Sequence, residues 1–186
     1  WKYYVHDEPK ELLEHLRQHG FTIENREALL ALELAGLPAR LQQQSSHDIR
    51  LLSQLEELKD VAMVERSVWN NDPADIMNHL ANVMTTQPES LRIYAAYVDN
   101  KPVSAAWMFL HEGNQFASLW GGSTLKEYRG LGLYTALVAV RAQEAIKHGA
   151  KFLTVDASPM SQPILEKRGF QFLTYTYPCK WQVKKS

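Results

Sequence analysis

The residues best placed to do chemistry together lie between Thr124 and Val140, in the stretch TLKEYRGLGLYTALVAV. Gly130 and Gly132 accept backbone angles that other residues resist and leave no side chain in the way, so main-chain N–H groups can close on an anion. The segment that follows is apolar on almost every side and reads as a buried helix. Its first turn brings unpaired N–H groups and the positive end of the helix dipole to the same place, a natural seat for a pyrophosphate. Arg129 adds a fixed positive charge. The plain alternative is a helix start that binds nothing, because short glycine turns into helices are common.

The elements around this turn must hold it in place. Asp48 to Leu52 reads as a strand, and Leu55, Leu58, Val61, Ala62 and Val64 recur at helical spacing up to Trp69. Asn70-Asn71-Asp72-Pro73 is a turn and cap signal that opens a second helix through about Met84. Leu91 to Val98 and Pro102 to Leu110 are rich in aromatic and branched residues and meet at Asp99-Asn100, the pattern of an antiparallel hairpin. Gln115 to Gly121 is the next strand. After the central helix, which ends at His148-Gly149, Lys151 to Asp156 reads as a buried strand, Pro159 to Arg168 as a short helix and Phe170 to Tyr177 as a last strand.

Ahead of this series, Leu12, Leu13 and Leu16 mark a helix that stops at Gly20 before a strand at Phe21 to Ile23, and Ala28 to Leu34 reads as a strand or a short helix. The helix-Gly-Phe-strand phrase recurs at Ile164 to Phe170. It reads either as the remnant of a duplicated half or as the ordinary way a helix hands over to a strand. Leu37 to Ser46 is the best linker, so the sequence divides into residues 1–44, an N-terminal partial repeat or extension packed on the main domain, and residues 45–186, the main domain.

Composition narrows the classes. The 186 residues, 45% hydrophobic and 22% charged, are ordinary for a globular protein. A net charge of -1 gives no electrostatic reason to expect a nucleic acid or an acidic membrane as partner. The single cysteine, Cys179, rules out a disulfide framework and a multi-cysteine metal site. His111-Glu112 lacks the second His that a helical zinc motif needs, so no metal is expected. No apolar run approaches the roughly 18 residues of a membrane span, and the first residues lack a signal-peptide core, so a cytoplasmic location is the expectation. A monomer or a homodimer is equally compatible with this reading.

Arg129-Gly130-Leu131-Gly132-Leu133 resembles the acyl-CoA pyrophosphate loop of the GNAT superfamily of N-acetyltransferases. That signature is Arg or Gln, two free positions, Gly, one free position, then Gly or Ala. Arg129 and Gly132 match, and Tyr134 stands where the second small residue is usual. The element order from about residue 48 to 180 is also similar to that family, as is the closing run from Phe152 through Ile164 to Phe170. The resemblance implies an α+β, three-layer fold: a mixed, mostly antiparallel central sheet with a splayed strand pair and flanking helices. Too little chain follows Pro178 for the family's seventh strand, which must be very short or be replaced by the N-terminal segment.

The resemblance further implies acetyl-CoA as cosubstrate and an amine as acceptor. Gly122, Ser123 and Thr124 would lie at the edge that takes the pantetheine arm as an added strand, and Arg129, Gly130, Leu131, Gly132, Leu133 and Tyr134 on the pyrophosphate. Gly121-Gly122 reads equally as a bulge that bends the strand. Where the family usually offers a Tyr to the departing thiolate this sequence has Leu165, and its usual Asn corresponds to Ser158. Asp156, followed by Ser158, is the candidate base, acting directly or through water; its plain reading is the cap of the next turn. Glu65, Trp69 and His79 sit on the early helices that wall the acceptor pocket in the family, and their plain reading is surface or core. The expected activity is N-acetylation of a primary amine, with a CoA-binding module lacking turnover as the alternative.

Overall fold

The computed structural model describes residues 1–43 and 45–181. In chain order the elements are β1 (Lys2–Tyr4), α1 (Leu12–Gln18), β2 (Phe21–Ile23), β3 (Glu27–Glu33), α2 (Ala39–Gln42), β4 (Asp48–Leu52), α3 (Leu58–Trp69), α4 (Ala74–Thr86), β5 (Leu91–Val98), β6 (Lys101–Leu110), β7 (Phe116–Thr124), α5 (Leu133–Lys147), β8 (Phe152–Ala157), α6 (Gln162–Glu166) and β9 (Gln171–Trp181). The class is α+β, with mostly antiparallel strands flanked by helices, as the resemblance implies. No helix among the described residues is long and apolar enough to cross a membrane.

The chain divides into two compact units, one of Glu33–Leu153 and one of Trp1–Leu32 with the described residues from Thr154 onward. In the larger unit β4, β5, β6 and β7 form an antiparallel meander. Asp99 and Asn100 close its tightest hairpin with φ of 50° and 60°, the left-handed pair that suits the twist of a two-residue turn. Alternate residues then divide between two cores. Ile93, Ala95, Tyr97, Ala105 and Trp107 pack with Leu58, Val61 and Val64 of α3 and with Leu80 and Val83 of α4. Tyr94 and Ala106 pack on Leu137 of α5, and Ala96 on Leu133. The helices therefore lie on opposite faces of the meander, and α5 sits deepest.

Its burial explains its composition. Leu133, Ala136, Leu137, Val138, Ala139, Ala142 and Ala145 are all buried, because the helix touches the strands on one side and α2 on the other. Gln143 Nε2 donates to the Leu41 carbonyl at 2.9 Å, so the Gln- and Ser-bearing stretch expected as a linker contains a short helix tied to α5.

In the smaller unit β8 lies beside β3, β3 beside β9, and β9 beside β1, while β2 also pairs with β9. The register sets Glu27 against Thr176 and Tyr4 against Thr176, with β2 matched to Cys179, Lys180 and Trp181. Two of the expectations are thereby refined. The added strand comes from the N-terminal segment, since β3 takes the place beside β8 and β9. The last strand also runs on through Pro178 to Trp181, because β1 and β2 supply partners there that the local sequence does not reveal. The predicted helix over Pro159 to Arg168 contracts to Gln162–Glu166. Leu165 is fully buried in this unit, and Cys179 is buried with Tyr3 and Leu16.

The meander carries one break that the rest of the larger unit is fitted to. Between β6 and β7 the register steps from Ala105 opposite Ser123 to Ala106 opposite Gly121, which leaves Gly122 as the extra residue of a bulge. Gly121 has φ of 68°, and a Cβ placed on it would stand 2.5 Å from a carbon of the Trp107 ring. Gly121→Ala should accordingly destabilise the protein by about 2–4 kcal/mol, from steric crowding in a packed core together with left-handed strain. A fall in the urea midpoint at unchanged m-value is the expected readout.

Candidate active site

The glycine turn has the geometry its sequence suggests. β7 ends at Thr124, one 3₁₀ turn over Lys126–Tyr128 follows, and the chain passes Gly130 (φ 82°) and Gly132 (φ 86°) into α5. Gly132 is the residue before the helix and no side chain caps it. The first rung of the helix is the Ala136 N–H to the Gly132 carbonyl at 3.0 Å, so the Leu133 and Tyr134 amides precede the ladder. A Cβ on Gly130 would meet nothing within 4 Å, and one on Gly132 would meet only His47 Nε2 at 3.5 Å. The turn is open on its outer side, with exposed Leu131 at its tip. Arg129 is also exposed and donates through Nε to the Thr124 carbonyl at 3.1 Å, which ties the guanidinium stem to the end of β7. An uncapped helix start, two left-handed glycines and a tethered arginine fit an anionic diphosphate.

Tyr134, which replaces the usual small residue, folds toward the bulge. A Cβ on Gly122 would stand 2.7 Å from its Cε2. Burial raises the Tyr134 hydroxyl above its ordinary pKa. Two turns further along α5, Arg141 is 2% exposed. It donates to the carbonyls of Leu137 (2.9 Å), Trp107 (2.9 Å) and Trp120 (3.1 Å), and burial lowers its pKa to about 10. Trp107 and Trp120 are register partners one pair away from the bulge. Arg141 thus bonds both strands one pair away from the place where their ladder breaks.

The opposite face of the bulge presents Ser123. Trp69, at the end of α3, donates its indole N–H to Ser123 Oγ at 2.9 Å. Glu65, one turn earlier on the same helix, is 3% exposed, and the polar groups that act on its carboxylate are the Ser123 hydroxyl and the Trp69 indole. Its Oε1 is buried without a hydrogen-bond partner, and burial raises its pKa above the ordinary carboxylate value. Around the bulge itself, the Ser104 hydroxyl bonds the Ser123 carbonyl and the Thr124 hydroxyl, each at 2.8 Å.

The larger unit therefore brings together Gly122, Ser123, Thr124, Arg129, Gly130, Leu131, Gly132, Leu133 and Tyr134, and adds Glu65, Trp69, Arg141 and His47. Asp156 and Ser158 belong to the smaller unit. There Asp156 Oδ2 pairs with Lys2 Nζ at 2.5 Å, while its Oδ1 is buried without a partner. Ser158 Oγ bonds Ser161 Oγ at 3.1 Å and accepts the Ser161 N–H at 3.3 Å, closing the turn before α6. Turn closure, expected of Asp156, is done by Ser158. His79 lies tilted against Phe109 with centroids 5.9 Å apart, and His111 Nε2 lies 2.9 Å from Ser118 Oγ.

Arg141 is legible in the sequence as a charge inside the mostly apolar run from Leu133 to Ala142. The resemblance already sets Glu65 on the helices that wall the acceptor pocket, and its spacing adds burial. It follows Val61 by four residues and precedes Val68 by three, so it lies on the buried stripe of α3.

The family described as "Acetyltransferase (GNAT) domain" matches residues 58–178. The chain belongs to the GNAT acetyltransferase family. None of the curated proteins matches it. Among solved structures, it is similar to a GCN5-related N-acetyltransferase from Kribbella flavida, with 19% identity and a TM-score of 0.67 over 96% of this chain and 66% of that one. A predicted acetyltransferase from Clostridium acetobutylicum, solved with acetyl-CoA, aligns at 16% identity and a TM-score of 0.58, over 67% of this chain and 89% of that one. AAC(6')-Iy, in complex with the bisubstrate analogue CoA-S-monomethyl-acetylneamine, aligns at 20% identity and 0.57, over 76% and 100%. At these identities the likeness is one of fold. This GNAT chain spans about two thirds of the length of the Kribbella relative.

The contact between Gly122 and Tyr134 is open to a direct test. Gly122→Ala should cost about 1–3 kcal/mol, part of it from the ring and part from the φ of 89°. In a Tyr134→Ala background the same substitution should cost less, because only the backbone part remains. A double-mutant cycle by denaturant unfolding measures the difference.

Proposed function

We propose that this GNAT chain transfers an acetyl group from acetyl-CoA to a primary amine of a small molecule or peptide by direct attack. The observation that carries the reading is the uncapped start of α5 behind Gly130 and Gly132, with Arg129 tethered beside it. Amides of the turn and the Arg129 charge would hold the diphosphate. Gly122, Ser123 and Thr124 would present the edge that takes the pantetheine arm, and the bulge that interrupts the β6–β7 ladder bends the strand there. Acetyl-CoA supplies the thioester carbonyl that the amine attacks. An N–H of the bulged strand would polarise that carbonyl.

A carboxylate must take the proton of the incoming ammonium. Asp156, with Ser158 after it, remains the candidate that the resemblance implies, with the Lys2 ammonium already on one oxygen. The thiolate leaves without a tyrosine in the usual place, since that position holds buried Leu165. The same observation favours one rival, a module that binds acetyl-CoA without turnover. Support for the transferase comes from family membership and from the acetyl-CoA and CoA-analogue complexes of the two relatives named above. Thiol release with acetyl-CoA over an amine panel separates the two, because the module binds and does not turn over.

The diphosphate seat has its own test. Gly132→Val places a β-branched residue at a φ of 86°, which it cannot hold without strain. Titration calorimetry should show acetyl-CoA affinity falling by about ten- to a hundredfold, roughly 1.4–2.7 kcal/mol. Unchanged affinity would remove Arg129 to Tyr134 from the site.

A further inference from the structure

We infer that Glu65 is the group that anchors the acceptor's ammonium and takes its proton, with Trp69 as a movable cover over it. The inference rests on the proposed transferase reading and names the residue of this chain that does the base's work.

The case begins with what the carboxylate lacks. Its Oε1 is buried and has no hydrogen-bond partner, and a buried acceptor left unmade costs free energy that a fold tolerates only for a reason. No charged side chain among the described residues acts on it: the groups that do are the Ser123 hydroxyl from β7 and the Trp69 indole from its own helix. The remaining elements against α3 present apolar side chains, Ala105 and Trp107 from β6 and Leu80 and Val83 from α4, while the Tyr97 hydroxyl of β5 donates to Asp60 at 2.5 Å and His79 of α4 is turned to Phe109. A carboxylate in such surroundings is a site for a cation that arrives from outside. Arg141 on the opposite face is equally buried, yet its charge is met by three carbonyls.

Placement agrees. Ser123 stands beside the bulge residue Gly122, on the strand whose edge takes the pantetheine arm in the proposed reading, so Glu65 lies behind the atoms that would flank the thioester. Trp69 N–H donates to Ser123 Oγ, which leaves the Ser123 hydroxyl proton for Glu65. Trp69 is the last residue of α3 and 56% exposed, and Asn70 after it turns left-handed. Its indole can swing without disturbing the core, and its face then offers a cation–π contact to the entering ammonium. Asp156 makes a weaker partner for that ammonium, since Lys2 already holds one of its oxygens.

The proton balance is simple. The Glu65 carboxylate removes one proton from the ammonium. The neutral nitrogen forms its bond to the thioester carbon, and the carbon–sulfur bond breaks with its electron pair leaving on sulfur. The second nitrogen proton passes to the thiolate, and the proton on Glu65 returns to solvent. No oxidant or further reactant is needed.

The test compares wild type with Glu65→Gln and Glu65→Asp, using acetyl-CoA with tyramine, glucosamine and a lysine-ended peptide as probe amines. Glu65→Gln should bind acetyl-CoA within about twofold of wild type and lose about 10²–10⁴-fold in thiol release. Glu65→Asp should recover part of the rate. Because the Glu65 pKa is raised by burial and its ionised form does the work, wild-type kcat/KM should fall as pH drops through a limb lying above the ordinary carboxylate range. In Glu65→Gln that limb should vanish.

A second readout needs no turnover. The Trp69 indole N–H resonance should follow the titration of Glu65 in the free protein, move to lower pH when tyramine is added, and stop titrating in Glu65→Gln. Wild-type turnover matched by Glu65→Gln within about threefold, or a Trp69 resonance indifferent to both pH and amine, overturns the inference and leaves the transferase reading standing. A wild type that binds acetyl-CoA and releases no thiol with any probe overturns both.

Discussion

One extra residue in one strand governs the larger unit. The bulge at Gly122 interrupts the β6–β7 ladder, and two aromatic side chains close on the glycines at the break. Trp107 closes on Gly121 from one side and Tyr134 on Gly122 from the other, at distances that only a residue without Cβ permits. One pair beyond the break, Arg141 reaches across to the carbonyls of both strands. The helix that carries Arg141 and Tyr134 is the same helix whose uncapped start forms the anion seat. Strand break and anion seat are therefore parts of one rigid piece rather than separate features.

Two buried charges bracket this piece, and they differ in what surrounds them. Arg141 has its hydrogen bonds supplied by the protein, so its burial produces cohesion: losing it would leave carbonyls unmet. Glu65 is enclosed nearly as completely but has one oxygen unsupplied. A fold gains nothing from such a carboxylate by itself. Its cost becomes intelligible when the missing partner is a substrate cation, and the Ser123 hydroxyl and Trp69 indole then serve to hold the carboxylate in position while it waits.

The smaller unit shows a different economy. β9 is the longest strand described and has partners along its whole length because three short N-terminal strands lie against it. A strand that the element order expects after β9 is thus contributed by β3, from before the meander. Lys2 and Glu27 come with this segment, and both lie near Asp156: Lys2 Nζ reaches it at 2.5 Å and also lies 3.7 Å from Glu27. The N-terminal residues consequently set the electrostatic surroundings of a carboxylate more than a hundred positions away in sequence.

Much of this was legible in the chain. The two glycines before an apolar run marked an uncapped helix start, since only local backbone angles and helix ends are involved, and the alternation of aromatic and branched residues with Asp99-Asn100 between them fixed the hairpin. Cα partners across strands were not legible. Whether Pro178 ends a strand or lies inside one depends on β1, and whether Gly122 bends a strand or unpairs it depends on Ala105 and Ala106. Both facts sit on other segments. The sequence alone determined the order of elements, the anion-seeking turn and the family they indicate, because those follow from residue type and spacing along one stretch. Tertiary structure alone decided that one oxygen of Glu65 lacks a partner while Arg141 has three, because satisfaction of a buried charge is a property of what distant segments bring to it.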